Sequence, residues 1–346
     1  MHYIGMDSHI TTIDFAVVNE KGNLVKEQRV PTSAKNLITF VKGIKPPRIV
    51  YTEEGSLADW ILETCRYYGE KVVITDPKEN RWISLSGEKN DKVDALKLAQ
   101  LARGGYIKEI YHPVGRRRRF KELVIAYHDT VRSRTRIKNK IKAKFRGDGI
   151  QCLGETIYQK KHRAEWRQRL PDDPGLLLIV DNLWLRLDQI EEMEKRILEE
   201  VKTQARQYPE IKRFEALSGV GFITAATISA IVETPWRFAN KRKVWMYAGL
   251  GIVRRSSGER VYSEKLTGNY NHLLKYAIKQ TAESAIRAKD NPFRKKYLDM
   301  TLLRGTAPHR AKLTVARDML TTMMAIWRKG EDYKSQLNAP HLTRQL

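Results

Sequence analysis

The first hundred residues carry short apolar runs of period two, separated by turn residues and followed by runs of helical period. The strand pattern covers residues 3–6, 12–18 and 24–30, and the turn residues 20–23 join the last two into a hairpin. The next predicted elements are, in order, a helix capped by Ser33, a strand over 49–51, a helix over 57–68, a strand over 71–75 and a helix that opens at Asp91. Residues 1–112 are therefore predicted to form an α/β domain.

Acidic residues stand where these strands end and where the last helix begins. Asp7 closes the first strand, and Glu53 follows an apolar strand. Asp91 and Asp94 are three residues apart, so a helix carries both carboxylates on one face. Glu54 points away from Glu53 in an extended strand, so only one of the two can face Asp7, and we favour Glu53. Hairpin-joined strands followed by β-α-β-α are the order of an RNase H-like fold, which gathers acids in this way.

Four carboxylates in this arrangement suit a divalent metal. Mg²⁺ prefers oxygen ligands and is typically held by a few carboxylates together with a substrate phosphate. Two such ions ~3.5–4 Å apart can stabilise both the attacking and the leaving oxygen of a displacement. We therefore predict that Asp7, Glu53, Asp91 and Asp94 bind Mg²⁺ and serve phosphodiester chemistry on nucleic acid.

A strongly basic helical segment follows the α/β domain. Residues 116–146 contain thirteen Lys or Arg against only Glu122 and Asp129, and their apolar positions keep a helical period. A solvated helix face is the alternative, but such charge density repels itself unless an anion binds. The predicted nucleic-acid contacts here are Arg116, Arg117, Arg118, Arg119, Arg132, Arg134, Arg136, Lys138 and Lys140.

A second long helix is predicted after the turn at 171–175. Its apolar positions recur at spacings of four and three from Leu183 to Val201, with one charged interruption at Glu194. This is the spacing of a three-heptad coiled-coil seam. The seam could face a partner chain or pack inside the chain, and pairing with the 120–146 helix would satisfy either arrangement.

Two motifs in the last third of the chain point to phosphate contacts. Residues 217–226 have the pattern of a helix–hairpin–helix, in which Gly219 and Gly221 permit a tight turn and the next helix presents its N–H groups to a DNA phosphate. A simple glycine turn between helices is the alternative.

Further along, a serine pair lies between apolar residues and a glycine. Ser256 and Ser257 precede Gly258 and follow Arg254 and Arg255, which could hold a phosphate beside an exposed hydroxyl. The motif alone is weak and is usually a polar loop. No histidine is placed as a base for a serine-protease mechanism.

The charge balance agrees with a polyanionic partner. The chain has 64 Lys and Arg against 40 Asp and Glu, a formal net charge of +24 and a pI near 9.9. Its two cysteines, Cys65 and Cys152, show neither metal spacing nor a disulfide framework, which fits a reducing cytoplasm. No apolar run is long enough for a membrane span, and no secretion signal is found.

Taken together, these motifs resemble the DEDD-type transposases of prokaryotic insertion sequences, the IS110 family. The order and spacing of the motifs carry the resemblance, which covers nearly the whole chain. The matching segments are the acidic tetrad with 90–95, the helix–hairpin–helix, 236–238, 247–250, 257–258, 266–269, 304–305 and 311–317.

The resemblance implies a RuvC-like metal domain over 1–112, a basic helical and coiled-coil segment over 113–205, a transposase domain over 206–334 and a short tail over 335–346. By motif, Ser257 maps to a nucleophile that forms a phosphoserine link to DNA, with Ser256 as the alternative. The resemblance also implies donor and target double-stranded DNA, a structured bridge RNA that pairs with both, and a cytoplasmic, nucleoid-associated location.

The coiled-coil seam leads us to expect a homodimer or homotetramer. Two other functions compete with a recombinase. One is a Mg²⁺-dependent Holliday-junction resolvase that uses only the acidic tetrad, and the other is a non-catalytic RNA-binding scaffold.

Overall fold

A computed structural model describes residues 1–77, 91–257 and 260–333 of the chain. For residues 91–92, 255–257 and 260–261 it describes the backbone alone. The chain divides into two compact units, Met1–Arg116 and Arg117–Leu346, each of which is described by itself.

The first unit is built on a five-stranded sheet of order β3-β2-β1-β4-β5. β1, β2 and β3 are antiparallel, whereas β4 and β5 continue the sheet parallel to β1. The elements are β1 (His2–Ser8), β2 (Thr12–Asn19), β3 (Leu24–Pro31), α1 (Ala34–Lys42), β4 (Arg48–Glu53), α2 (Ala58–Tyr67), β5 (Val72–Thr75) and α3 (Asp91–Gly104). The sheet confirms the predicted mixed α/β class and its element order. Its assignment as RNase H-like stays a prediction.

Helices cover both faces of this sheet. Ile4 and Met6 point to the core formed with α1 and α2, and that core is closed by the stacked rings of Phe15 and Phe40. The opposite face carries Tyr3, which stacks on Tyr51 and packs against α3. Strand alternation separates the two sets, because neighbouring residues of a strand face opposite sides of the sheet.

Gly5 allows α3 to lie directly on β1. A Cβ atom at Gly5 would stand 2.0 Å from the carbonyl oxygen of Ala95 and 2.7 Å from the amide nitrogen of Ala99. Those neighbours are backbone atoms, which cannot move aside as a flexible side chain does. The small residue therefore sets the separation between α3 and the sheet.

Replacing Gly5 with alanine should destabilise the first unit by about 1–3 kcal/mol or more, because the new methyl group displaces α3. Urea unfolding monitored by circular dichroism measures the loss. Gly55→Ala is the matched control, since a Cβ there meets nothing within 4 Å. Equal stability of the two variants would contradict the close packing of α3 on β1.

The second unit is mainly helical. Its elements are α4 (Arg116–Gly147), α5 (Arg163–Arg167), α6 (Pro174–Ala205), α7 (Pro209–Glu215), α8 (Phe222–Val232), α9 (Lys241–Tyr247), β6 (Ile252–Ser257), β7 (Arg260–Leu266), α10 (His272–Arg287), α11 (Pro292–Leu298) and α12 (Pro308–Lys329). β6 and β7 form a two-stranded antiparallel ribbon. Among the helices of the described ranges, none combines the length and apolarity that crossing a membrane requires.

The two long helices α4 and α6 pack against each other within the chain. Phe145 near the end of α4 lies 6.0 Å from Trp184 between ring centroids, whereas Phe120 at the start of α4 shares a core with Val201 near the end of α6. The helices are therefore antiparallel. The predicted seam is buried by this pairing, since Leu187 is fully buried against α4.

Glu194, the charged interruption of the seam, has a partner on α4. The Arg134 guanidinium donates to its carboxylate at 2.7 Å, and both side chains are partly buried. Because the seam is occupied inside the chain, it no longer argues for a partner chain. The predicted dimer or tetramer, and a coiled coil between chains, stay predictions.

The remaining helices of the second unit form a bundle around α8. Every residue of α8 from Ala225 to Val232 is buried, and α7, α10 and α12 contribute to the same core. A helix that is apolar on all sides belongs in the centre of a bundle. This bundle carries the helix–hairpin–helix motif and the β6–β7 ribbon.

Candidate active site and nucleic-acid-binding residues

The structure brings two of the predicted acids to neighbouring strand ends. β1 and β4 are parallel and in register, with Met6 opposite Thr52. Asp7 and Glu53 are the next residues of their strands, and so they lie at the same edge of the sheet. Both therefore sit at the carboxyl ends of parallel strands, where α/β sheets place their ligand sites.

Strand alternation puts both acids on the face covered by α3. Asp7 follows Gly5 by two residues, and Gly5 contacts the backbone of α3. Glu53 follows Tyr51 by two residues, and Tyr51 belongs to the apolar cluster shared with α3. This geometry favours Glu53 over Glu54 as the residue that accompanies Asp7.

Glu54 has other contacts. Its backbone N–H donates to the carbonyl oxygen of Thr75, and its carboxylate lies 3.8 Å from Nε2 of His112. His112 also lies 3.0 Å through Nδ1 from the carboxylate of Asp59. Glu54 thus belongs to a group that includes Asp59 and His112.

The helix α3, which covers the same face of the sheet, carries Asp94. Asp94 directly precedes Ala95, whose carbonyl oxygen faces Gly5 on β1, two residues before Asp7. Its carboxylate lies 4.0 Å from Nζ of Lys97 and its side chain is 44% exposed. Asp91 is the first residue of α3, and its side chain lies outside the described part of the structure.

The acids at this edge remain accessible. The side chain of Asp7 is 30% exposed and one of its carboxylate oxygens lies 3.2 Å from Nε2 of His9. Among the described side chains, no three acids, histidines or cysteines are close enough to hold a metal ion. Asp7, Glu53 and Asp94 carry the carboxylate oxygens that Mg²⁺ prefers, but the structure does not gather the three into one metal-binding group. The side chain of the fourth predicted ligand, Asp91, lies outside the described residues.

The predicted serine nucleophile lies on the β6–β7 ribbon. Ser257 is the last residue of β6, and its Cα partner on β7 is Arg260. The register shifts between Arg255 and Ser256, so regular alternation ends just before the serine pair. The side chains of these residues lie outside the described part of the structure, as does Gly258. Arg254 forms an exposed ion pair with Glu264 at 3.4 Å.

Arg317 on α12 binds the backbone just before the β6–β7 ribbon. This contact was not predicted from the sequence. Its Nε donates to the carbonyl oxygen of Leu250 at 2.8 Å, two residues before β6. Burial lowers the pKa of Arg317 below the usual guanidinium value. The indole nitrogen of Trp245 donates to Thr321 on the same helix at 3.0 Å. A single arginine in an amphipathic helix gives no sequence signal for such a contact.

The basic helix α4 divides into paired and solvent-facing cations. Arg118 pairs with Glu122, Arg132 with Asp129, and Lys138 with Glu155 at 3.2 Å. Arg116, Arg119, Arg136 and Lys140 are exposed, and no ion pair is found for them within the described ranges. Of the predicted nucleic-acid contacts on α4, these four are the ones best placed to meet a polyanion.

Arg117 occupies a different environment from the one predicted. It donates to the buried carboxylate of Glu210 at 2.7 Å and to Ser229 at 3.0 Å, and its guanidinium lies 3.9 Å from the ring centroid of Tyr208. Lys121 similarly pairs at 2.6 Å with the buried Glu233. The geometry of Arg117 favours a structural role over a nucleic-acid contact, because its charge compensates a buried carboxylate.

Arg117→Ala should lower the free energy of unfolding by about 3–5 kcal/mol, because Glu210 then remains buried without a counter-charge. Arg119→Ala, two residues away and exposed, should change it by less than about 0.5 kcal/mol. Denaturant unfolding of both variants measures the difference. A destabilisation confined to Arg119→Ala would contradict this assignment.

The two glycines of the predicted helix–hairpin–helix differ in their surroundings. Gly219 has φ of +85° and a Cβ there would lie 2.3 Å from the amide nitrogen of Ala285 on α10, so packing requires a glycine. Gly221 has open space around it, and its N–H donates to Oγ1 of Thr224 at 3.1 Å as the N-cap of α8. Gly221 is therefore the glycine at the start of α8, where the N–H groups predicted to contact a DNA phosphate lie.

Comparisons with known proteins match both units. A DEDD-type model of the IS110 group, described as a transposase, matches residues 4–147, and one described as "Transposase IS116/IS110/IS902 family" matches residues 211–298. The transposase for insertion sequence element IS1111A of Coxiella burnetii is 20% identical over 334 residues, covering 96% of this chain and 91% of that protein. An uncharacterized 43.6 kDa protein of insertion element IS110 from Streptomyces coelicolor is 27% identical over 212 residues, covering 57% of this chain and 51% of that protein.

The matches in both units define a transposase, the class of enzymes that catalyse DNA strand transfer. Within that class, the chain belongs to the IS110 family. The match spans only about half of the length of the Streptomyces relative.

Proposed function

We propose that the chain transposes DNA through a serine–phosphate intermediate, with Asp7, Glu53, Asp91 and Asp94 as ligands of Mg²⁺. Donor and target double-stranded DNA are the substrates, and a structured bridge RNA selects them. The observation that carries the metal part is the position of Asp7 and Glu53 at adjacent parallel strand ends, on the face that α3 covers.

The carboxylates would hold a cation next to the scissile phosphate. In a chain of net charge +24, a cluster of acids at a sheet edge repels DNA unless a cation lies between them. When bound there, Mg²⁺ would neutralise the scissile phosphate and polarise its oxygens. The close approach of the α3 backbone to Gly5 places the helix that carries Asp94 on the same face of the sheet as Asp7 and Glu53, which supports this arrangement.

The serine provides a reversible covalent step. Oγ of Ser257 attacks the phosphorus, an Oγ–P bond forms, and the bond from phosphorus to one deoxyribose oxygen breaks. The serine proton ends on that oxygen, which leaves as a hydroxyl. Rejoining is the reverse attack by a deoxyribose hydroxyl on the phosphoserine, so the energy of the ester is conserved without ATP. Arg254 and Arg255 are proposed to contact the phosphate.

The exposed cations of α4 support an RNA partner. Arg136 and Lys140 are four residues apart and therefore lie on the same face of α4, and both are exposed. Lysine and arginine on a long helix bind a phosphate backbone without reading its sequence. Sequence selection would then fall to base pairing by the RNA.

Reconstituted strand exchange tests the proposal. The chain is purified with its co-purifying RNA, that RNA is sequenced, and DNA substrates that pair with it are supplied with Mg²⁺. We expect strand exchange that requires both the RNA and Mg²⁺. A protein–DNA adduct that survives denaturation should form during the reaction. Metal-dependent cleavage of four-way junctions without any adduct would instead favour the resolvase. RNA binding without cleavage or joining would favour the scaffold.

A further inference from the structure

A cavity of about 640 Å³ lies in the second unit where α4, α6, α8 and α10 meet. Gly219 and Gly221 are among its lining residues, and none of the residues proposed for catalysis lines it. Its volume falls within the range of about 300–1,000 Å³ typical of ligand sites.

Four rings contribute to its lining. Tyr127 and His128 come from α4, Phe222 from α8 and Tyr276 from α10. Its described lining residues include no aspartate or glutamate, and Gln280 adds an amide. Flat apolar faces with a few neutral polar groups are suited to a planar, uncharged ligand.

His128 is held as a neutral ring. Thr227 donates its hydroxyl proton to the carbonyl oxygen of Ile223 at 2.6 Å, so Nε2 of His128 donates to Oγ1 of Thr227 at 2.8 Å. Burial, assisted by the positive charge of Arg132, lowers the pKa of His128 below its ordinary value. Near neutral pH the imidazole therefore adds a flat face and no charge.

Two groups in the lining of the cavity favour an anion. α8 begins at Phe222, and the N–H groups of its first turn have no acceptor within the helix. Lys202 also lines the cavity, where it bonds to the exposed carboxylate of Glu199 at 2.8 Å. The rings match the base of a nucleotide, and the first turn of α8 together with Lys202 matches its phosphate.

We propose that this cavity holds an unpaired base of DNA, stacked among the rings, with its phosphate at the first turn of α8 and Lys202. Proteins that hold unpaired bases without reading sequence use aromatic faces together with a positive groove. The proposal rests on the proposed function only in taking DNA as the polymer. It adds a site for a base that has left the duplex.

Fluorescence of 2-aminopurine tests the proposal on the full chain. The probe is a DNA duplex with a single unpaired 2-aminopurine, whose emission should fall on binding because the base stacks. Tyr276→Ala should weaken binding by about 5- to 150-fold, the equivalent of ~1–3 kcal/mol for one stacked base. Tyr276 is 57% exposed, so its removal should leave the fold intact. Tyr276→Phe, which keeps the ring, should bind as the unaltered chain does.

Two controls separate this site from general DNA binding. Tyr67→Ala removes a ring that is 83% exposed in the other unit and should have no effect. Affinity of Tyr276→Ala for the fully paired duplex should also be unchanged. The proposal is overturned if Tyr276→Ala retains the quenching, loses paired and unpaired DNA equally, or acts only on an RNA version of the probe. Binding is read without strand transfer, so a failed exchange reaction leaves this test valid.

Discussion

Ser257→Ala is expected to abolish strand exchange and the covalent protein–DNA adduct, a loss of at least ~10³-fold in rate. The reason is chemical, since alanine has no oxygen with which to form the ester to phosphorus. The measurement is a denaturing gel of end-labelled DNA after incubation with chain, RNA and Mg²⁺. DNA binding should persist, because the substitution removes only a hydroxyl group.

Ser256→Ala is the matched control for this prediction. It removes the same group one residue earlier in β6, where the register with β7 shifts. It should retain the adduct and most of the exchange rate. If Ser256→Ala abolishes the adduct and Ser257→Ala does not, the nucleophile is misassigned by one residue. If both variants keep full exchange, the serine mechanism is wrong.

The elements of the first unit could be predicted from the sequence because each depends on neighbouring residues. The strand patterns of β1, β2 and β3 and the cap at Ser33 are local, and the structure confirms these three strands and the cap, with the Ser33 hydroxyl accepting from the N–H of Asn36. The long connection through β2, β3 and α1 then permits β1 and β4 to pair in parallel, as the structure shows. The positions of Asp7 and Glu53 at one edge were predictable for this reason.

Contacts between distant residues could not be predicted in the same way. Arg117 was one of four consecutive arginines, and nothing nearby distinguishes it from Arg119. Its partner Glu210 is 93 residues away and becomes buried only when the bundle forms. Similarly, Arg134 meets Glu194 across 60 residues. Charge composition predicts a polyanionic partner for α4. The tertiary fold determines which cations of α4 remain unpaired and able to bind that partner.

Gly5 shows how a local residue carries a long-range requirement. In the sequence it weakens a strand, since glycine has no side chain to pack. In the structure its missing Cβ admits the backbone of α3, the helix that carries Asp94, onto the face of the sheet that holds Asp7. The metal site proposed here therefore depends on a residue that cannot itself bind metal.

Asp94→Asn should reduce Mg²⁺-dependent cleavage by on the order of 10³-fold, the equivalent of several kcal/mol of charge stabilisation at the phosphate. The amide keeps the size of the side chain and removes its negative charge, so a neutral oxygen replaces an anionic ligand. Cleavage rates across a Mg²⁺ titration measure the effect. Binding of Mn²⁺ followed by electron paramagnetic resonance reports the site independently of catalysis.

Glu53→Gln and Glu54→Gln form the matched pair for the same site. Glu53→Gln should weaken Mn²⁺ binding and cleavage as Asp94→Asn does, because Glu53 lies beside Asp7 on the face that α3 covers. Glu54→Gln should leave both largely intact, because that carboxylate lies near His112 instead. The reverse result would move the third ligand to Glu54. Unchanged metal binding in Asp94→Asn and Glu53→Gln would exclude a metal site at this edge of the sheet. The proposed reaction would then depend on the serine of the β6–β7 ribbon alone.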